Sequence, residues 1–250
     1  MTGIFDSGVG GLSVLRHLLR LAPRGDYVYL ADTARIPYGS RSREEIIGIA
    51  KSDMGFLISK GVDALAAGCG TVSSVFPADE IARLPVPFCG AIAPAAEKAA
   101  QLGGRIVLLA TELSVKSGRF ARLVASLNPE AEVVGVACPA FVPLIEGGIA
   151  QNRDELRLAA ARYLAEGGPA DVVVLGCTHF PLISDIIAGL TDARVVDIGL
   201  EMALHLLPAV KEEHGRVRLY VSGDRTSFVR SAGEILGLDA DPITEAMTWQ

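Results

Sequence analysis
Short apolar runs alternate with amphipathic segments along the whole chain. Gly3-Ile4-Phe5 leads into the turn-forming "DSGVGG", after which Leu12, Leu15 and Leu19 fall on one face of a helix. "YVYLAD" reads as a strand ending at Asp32, and "TARIPYGSRS" as a loop punctuated by Pro37 and Gly39. "REEIIGIAKSDMGFLISKG" reads as a helix stopped by Gly61, and "DALAAG" as the next strand. The remaining strand runs are "RIVLLAT", "AEVVGVA", "DVVVLG", "RVVDIG" and "RLYVSGD", with helix-length segments between them. Such alternation predicts an α/β fold with mainly parallel sheets.

The pattern also restarts. "GVDALAAGC" and "PADVVVLGC" each run from an acid through an apolar strand to Gly-Cys; the acid stands six residues before the cysteine both times, and Cys69 and Cys177 are 108 residues apart. Two pseudosymmetric α/β halves are therefore expected rather than one long sheet, with the Pro-rich "LPVPFCGAIAP" as the crossing between them. The first would combine residues 1–88 with 205–250, and the second would span 89–204. Loops at the carboxyl ends of parallel strands line the ligand crevice in such folds. Asp6, Ser7, Asp32, Cys69, Thr111 and Cys177 all fall at such ends.

Composition narrows the class. In 250 residues, 50% are apolar and 21% charged, which describes a globular chain with a substantial core. A net charge of −6 argues against a broad nucleic-acid or anionic-membrane surface, while leaving room for a local basic pocket. No apolar run reaches the roughly 18–20 residues of a membrane span. "MTGIFDSGVGG" has neither the basic nor the long apolar region of a signal peptide, so the expected location is the cytoplasm. The four cysteines show no Cys-x-x-Cys or Cys/His ligand spacing, which argues against structural zinc, and thiols are expected. Cys89 and Cys138 read as small buried hydrophobes.

Three motifs carry chemistry. "DSGVGG" offers backbone N–H groups at a helix start, as anion sites do. A dinucleotide reading is open, since Asp32 ends the next strand where a ribose-binding acid would stand, although Ser13 takes the third glycine position. Simple capping by Asp6 or Ser7 is the plainer alternative. "GCTHFP" sets the His179 imidazole two residues from the Cys177 thiol, and "GCGTVSS" holds Cys69. Each alone is a weak signal; the matched pair is stronger. Two facing thiols suit the inversion of a stereocentre, in which one group removes a proton from one face of a carbon and the other supplies one to the opposite face. A cysteine pKa of roughly 8.5 lets small neighbours set either protonation state. Asp6, Ser7, Thr71, Glu146, Thr178 and His179 are the candidate tuning groups.

Taken in order, "FDSGVGGLSVL", "DTARIPYGSRS", "CGTVSS", "LLATELSVKSG", "CPAFVPLIEGG", "LGCTHFPLI" and "VSGD" resemble the glutamate racemases of the cofactor-independent aspartate/glutamate racemase superfamily. The resemblance runs nearly from end to end. It implies two α/β domains with the active site at their interface and interconversion of L- and D-glutamate, supplying D-glutamate to peptidoglycan. It implies no cofactor: no pyridoxal phosphate, metal or nucleotide. By position, Cys69 and Cys177 match the two catalytic thiols, Cys69 serving the D- and Cys177 the L-enantiomer. Asp6 matches the acid near the first thiol, and His179 and Glu146 the groups near the second. Asp6, Ser7, Pro37, Tyr38, Gly39, Gly70, Thr71, Thr111, Ser114, Thr178 and His179 match substrate-binding positions. The implied partner is a small molecule, with no nucleic acid and no membrane, and a homodimer is the expected assembly. Two positions depart from the pattern: Gly70 stands where Asn usually follows the first cysteine, and Gly199 where a polar residue is common. A racemase of aspartate or another acidic amino acid, or a racemase-like binding protein with weak turnover, remains the alternative.

Overall fold
The computed structural model describes residues 1–38 and 41–249. Strands β1 (Thr2–Asp6) and β2 (Tyr27–Ala31) are buried at every position. A strand apolar on both faces needs helices above and below it, and parallel pairing through helical crossovers provides them. β3 (Ala64–Ala67) lies on the other side of β1 and β4 (Phe88–Gly90) beyond it, while β9 (Val217–Val221) and β10 (Thr244–Ala246) extend the β2 edge. The first sheet is therefore β10-β9-β2-β1-β3-β4, parallel throughout. The second is β6-β5-β7-β8, also parallel, built from β5 (Arg105–Ala110), β6 (Glu132–Ala137), β7 (Val172–Leu175) and β8 (Arg194–Asp197).

The order second-first-third-fourth occurs in both sheets. β3 and β7 thus occupy equivalent places, and the matched acid-to-cysteine frames are the sequence trace of that equivalence. Helices α1 (Leu12–Leu21), α2 (Arg43–Ser59), α3 (Gly70–Val75), α4 (Ala78–Ala82), α5 (Ile92–Leu102) and α6 (Glu112–Ser117) belong to the first part of the chain. They are followed by α7 (Arg119–Leu127), α8 (Phe141–Glu146), α9 (Arg153–Gly167), α10 (Ser184–Ala188), α11 (Ile198–Leu206) and α12 (Arg225–Leu236).

Alternation along each strand sends its side chains to two cores. Ile4, Tyr27 and Tyr29 from the first sheet, and Ile106, Leu108, Val172 and Val174 from the second, join one shared core through α1, α5 and α11. Phe5, Val28 and Leu30 point the other way, towards α2, and Val107, Leu109, Val173 and Leu175 towards α8 and α9. The two sheets are therefore held by a common helical layer, which aims the carboxyl ends of β1, β3, β5 and β7 at one region.

Eight of the ten strands coincide with the apolar runs, and Gly61 ends α2 with a φ of +78°, a conformation that favours glycine. β4 and β10 have three residues each, too few to show a period. β4 lies inside the Pro-rich stretch expected as a crossing; the chain completes an edge strand there before α5 leads to the second sheet. Within "TARIPYGSRS", Thr33–Arg35 forms a 3₁₀ turn. Gly39, expected at the substrate, lies outside the described residues. Among those described, no helix is long and apolar enough to cross a membrane.

Candidate active site
β1 ends in Asp6, and the chain turns at Ser7 into α1. Asp6 is fully buried, accepts from the Gly8 N–H at 2.8 Å, and accepts the Thr178 hydroxyl at 3.2 Å from the opposite half. It is thus a direct polar link between the halves. Burial pushes its carboxyl pKa up, against the opposing charge of His179 and the Gly8 N–H.

Cys69 follows β3 and caps α3, while Cys177 follows β7. Both are free thiols, and their relative exposures of 6% and 7% leave them almost sealed from solvent. Cys69 Sγ donates to Ser7 Oγ at 3.9 Å. Burial and then the Asp6 charge push its thiol up to about 12, while the Val72 and Thr71 N–H groups at the α3 start act in the opposite direction. Cys69 is therefore a thiol at neutral pH.

Cys177 has a different neighbour. Its Sγ lies 3.8 Å from His179 Nδ1, and His179 Nε2 lies 2.7 Å from Glu146 Oε1 at the end of α8. Burial alone would lower the imidazole pKa, but its bonds to Cys177 and Glu146 and the Asp6 charge outweigh this and hold it well above the ordinary value. Glu146 responds in kind: burial would raise its carboxyl, and His179 brings it below the usual range. A charged imidazole thus stands beside the Cys177 sulfur. The two sulfurs also sense each other electrostatically.

"DSGVGG" has a steric explanation. A Cβ on Gly10 would stand 2.5 Å from His179 Nδ1 and 2.7 Å from Thr178 Oγ1, and one on Gly8 would stand 3.0 Å from Glu146 Oε1. These glycines admit the second half's polar groups to the first half's turn. Asp32, the candidate ribose acid, is fully buried and bonded to Arg35, Tyr38, Ser222 and Trp249. With its oxygens thus engaged and the turn filled by His179 and Thr178, the dinucleotide reading has no support.

The other expected residues divide. Thr71, Thr178 and Ser114 are buried. Thr111 caps α6 and donates to Ser114 Oγ at 2.9 Å. A Cβ on Gly70 would lie 3.5 Å from the Gly176 carbonyl and 3.7 Å from Ser114 Oγ, so the two Gly-Cys segments face each other. Tyr38 is buried, but its hydroxyl serves Asp32 and Asp53. Pro37 is exposed. Sequence reasoning missed Arg35 and Asp53. A signal existed: Asp53 falls on the buried stripe Ile46, Ile49, Ala50, Met54 and Leu57 of α2, where an acid needs a partner. Burial, then the Asp32 charge, pushes its carboxyl up to about 8.

Two facing parallel-sheet halves thus each carry a buried cysteine just past a matched strand. Residues 8–205 match the Asp/Glu/Hydantoin racemase family, and the chain belongs to that family. A glutamate racemase from Gloeobacter violaceus is 39% identical across 92% of this chain and 90% of its own. One from Desulforudis audaxviator is 37% identical across 97% of this chain and 96% of its own. The crystal structure of a glutamate racemase from Francisella tularensis in complex with D-glutamate superposes with a TM-score of 0.87, at 28% identity, covering 99% of this chain and 97% of that one.

Proposed function
We infer that the chain interconverts L- and D-glutamate, as an isomerase that works with its own side chains. The observation that carries the reading is the pair of equivalent buried thiols, each with its own polar neighbour, in a chain whose relatives are glutamate racemases over nearly their whole length. In the proposed mechanism one thiolate removes the Cα proton. The electron pair left behind spreads into the α-carboxylate, where the hydroxyls of Ser7 and Ser114 are the available donors. The opposite thiol protonates the other face. The thiol and thiolate roles are then exchanged, and the reverse reaction starts from that state.

Cys177, with His179 and Glu146, serves L-glutamate in this reading; Cys69, with Ser7 and Asp6, serves D-glutamate. Sealed thiols require the two halves to part for substrate entry and close for chemistry, excluding water. Supply of D-glutamate to peptidoglycan, a cytoplasmic location and a homodimer complete the proposal. Polarimetric or circular-dichroism assay of racemisation across a panel of acidic amino acids tests the substrate. Glutamate turnover well above that of aspartate supports the reading, and a reversed preference overturns it.

Gly70 bears on that preference. It opens α3 without a positive φ, and the space beside its Cα admits a Cβ at ordinary contact distances. A side chain can therefore start from this position without backbone strain or a Cβ clash. One added hydrogen bond to a charged substrate is worth about tenfold in kcat/KM. Gly70→Asn is expected to fold normally and raise kcat/KM for glutamate by that order; steady-state kinetics on both enantiomers checks it.

A further inference from the structure
The segment after β2 carries Tyr38 and runs between the two thiol neighbourhoods. The Tyr38 ring shares a buried cluster with Cys69, while Thr33 and Ile36 border a cavity of about 240 Å³ beside Glu146. Among the segment's described residues the only regular structure is one 3₁₀ turn, which is weak alone. Its anchors are two fully buried carboxylates, Asp32 after β2 and Asp53 on α2. Arg35 Nε donates to Asp32 Oδ2 and Arg35 Nη2 to Asp53 Oδ1, both at 2.5 Å. The Tyr38 hydroxyl is 2.6 Å from Asp32 Oδ2 and 3.1 Å from Asp53 Oδ2. Ser222 Oγ donates to Asp32 Oδ1 at 2.8 Å and accepts the Ala34 N–H at 3.0 Å.

A residue distant in sequence completes the set. Trp249, the chain's single tryptophan, donates its Nε1–H to Asp32 Oδ1 at 2.8 Å. The Arg35 guanidinium lies 3.7 Å from the centroid of its ring, and the ring meets Phe56 of α2 edge-on at 6.3 Å. An indole joins these roles in one side chain: its N–H satisfies a buried acceptor and its face stabilises a cation. Arg35 is thus gripped in its plane by Asp32 and Asp53 and on its face by the ring.

We propose that Trp249 is a positioning residue for racemisation: by gripping Arg35 and Asp32 it fixes the Tyr38 segment where that segment orients the substrate. The proposal rests on the racemase reading above. Trp249 acts through Asp32 and Arg35 rather than on the reacting atoms, so its loss should weaken substrate binding more than the chemical step. Trp249→Ala is expected to raise KM for both enantiomers by about tenfold and Trp249→Phe, which keeps a ring under Arg35, by about threefold, with kcat within about twofold. Tryptophan-selective emission of the wild type, which reports this position alone, is expected to shift on saturation with D-glutamate. A folded Trp249→Ala protein with wild-type KM overturns the proposal, whatever its kcat. If that variant does not fold, wild-type KM in Trp249→Phe together with unmoved wild-type emission overturns it. A wild type that racemises no amino acid in the panel overturns the functional reading itself and removes the substrate to be positioned.

Discussion

Cys69→Ala and Cys177→Ala are each expected to lose at least about 10²–10⁴-fold in kcat/KM, the range for a general acid–base group, in both directions. Each thiol is the base in one direction and the acid in the other, so neither is dispensable. Enantiomers have equal free energy in water, so kcat/KM must fall equally for L- and D-glutamate, and only kcat and KM separately can differ by direction. The substitutions are mild structurally: both sites are strand ends where a small side chain replaces another, and each remaining thiol keeps its own neighbours, Ser7 for Cys69 and His179 for Cys177. Thermal melts establish that the variants are folded. Retention of most activity in either would contradict a two-thiol mechanism.

His179→Asn is expected to lose about 10²-fold in kcat/KM, again equally for both enantiomers. The amide still reaches towards the Cys177 sulfur but carries no charge and gives up the 2.7 Å bond to Glu146. What it removes is the imidazolium beside Cys177. The pH sign follows from the raised His179 pKa: the charged ring persists through neutrality and is lost only as pH rises through that elevated value, so the wild-type profile should show no fall near pH 6.5 attributable to this group. The variant should be slow at all pH values and should lack whatever alkaline fall His179 causes. A pH–rate profile of kcat/KM for both proteins checks this, and near wild-type activity in the folded variant would contradict the assigned role.

Much of the fold was legible because parallel strands leave continuous apolar runs and their crossovers leave helical periods; β1, β2, β3 and β7 are buried throughout, and β6 and β8, though mostly half-buried or exposed, keep the runs Val133-Val134 and Val195-Val196. β4 and β10 were not legible, since three residues carry no period and their pairing depends on strands far away in the chain. The two cysteines stood out because a repeated topology repeats its sequence frame. The links among Asp6, Thr178, His179 and Glu146 were legible only as residue types, because they join positions 172 residues apart across the interface and 33 residues apart within the second half. The close approach of Glu146, Thr178 and His179 to Gly8 and Gly10 was not legible for the same reason: a glycine's sequence does not say which group approaches it. The Arg35, Asp53 and Trp249 set was missed although Asp53 interrupts the apolar stripe of α2.

Proton traffic tests the two-thiol claim most directly. Racemisation is started from one pure enantiomer in heavy water, and the Cα hydrogen of both enantiomers is followed through the first turnovers by mass spectrometry after chiral separation. Two thiols acting from opposite faces predict that the newly formed enantiomer carries deuterium at Cα while the remaining starting enantiomer gains little, because the donating thiol has exchanged with solvent and the abstracting one does not return its proton to product. Equal early labelling of both enantiomers would contradict it, pointing to a single base or to an intermediate that equilibrates with solvent.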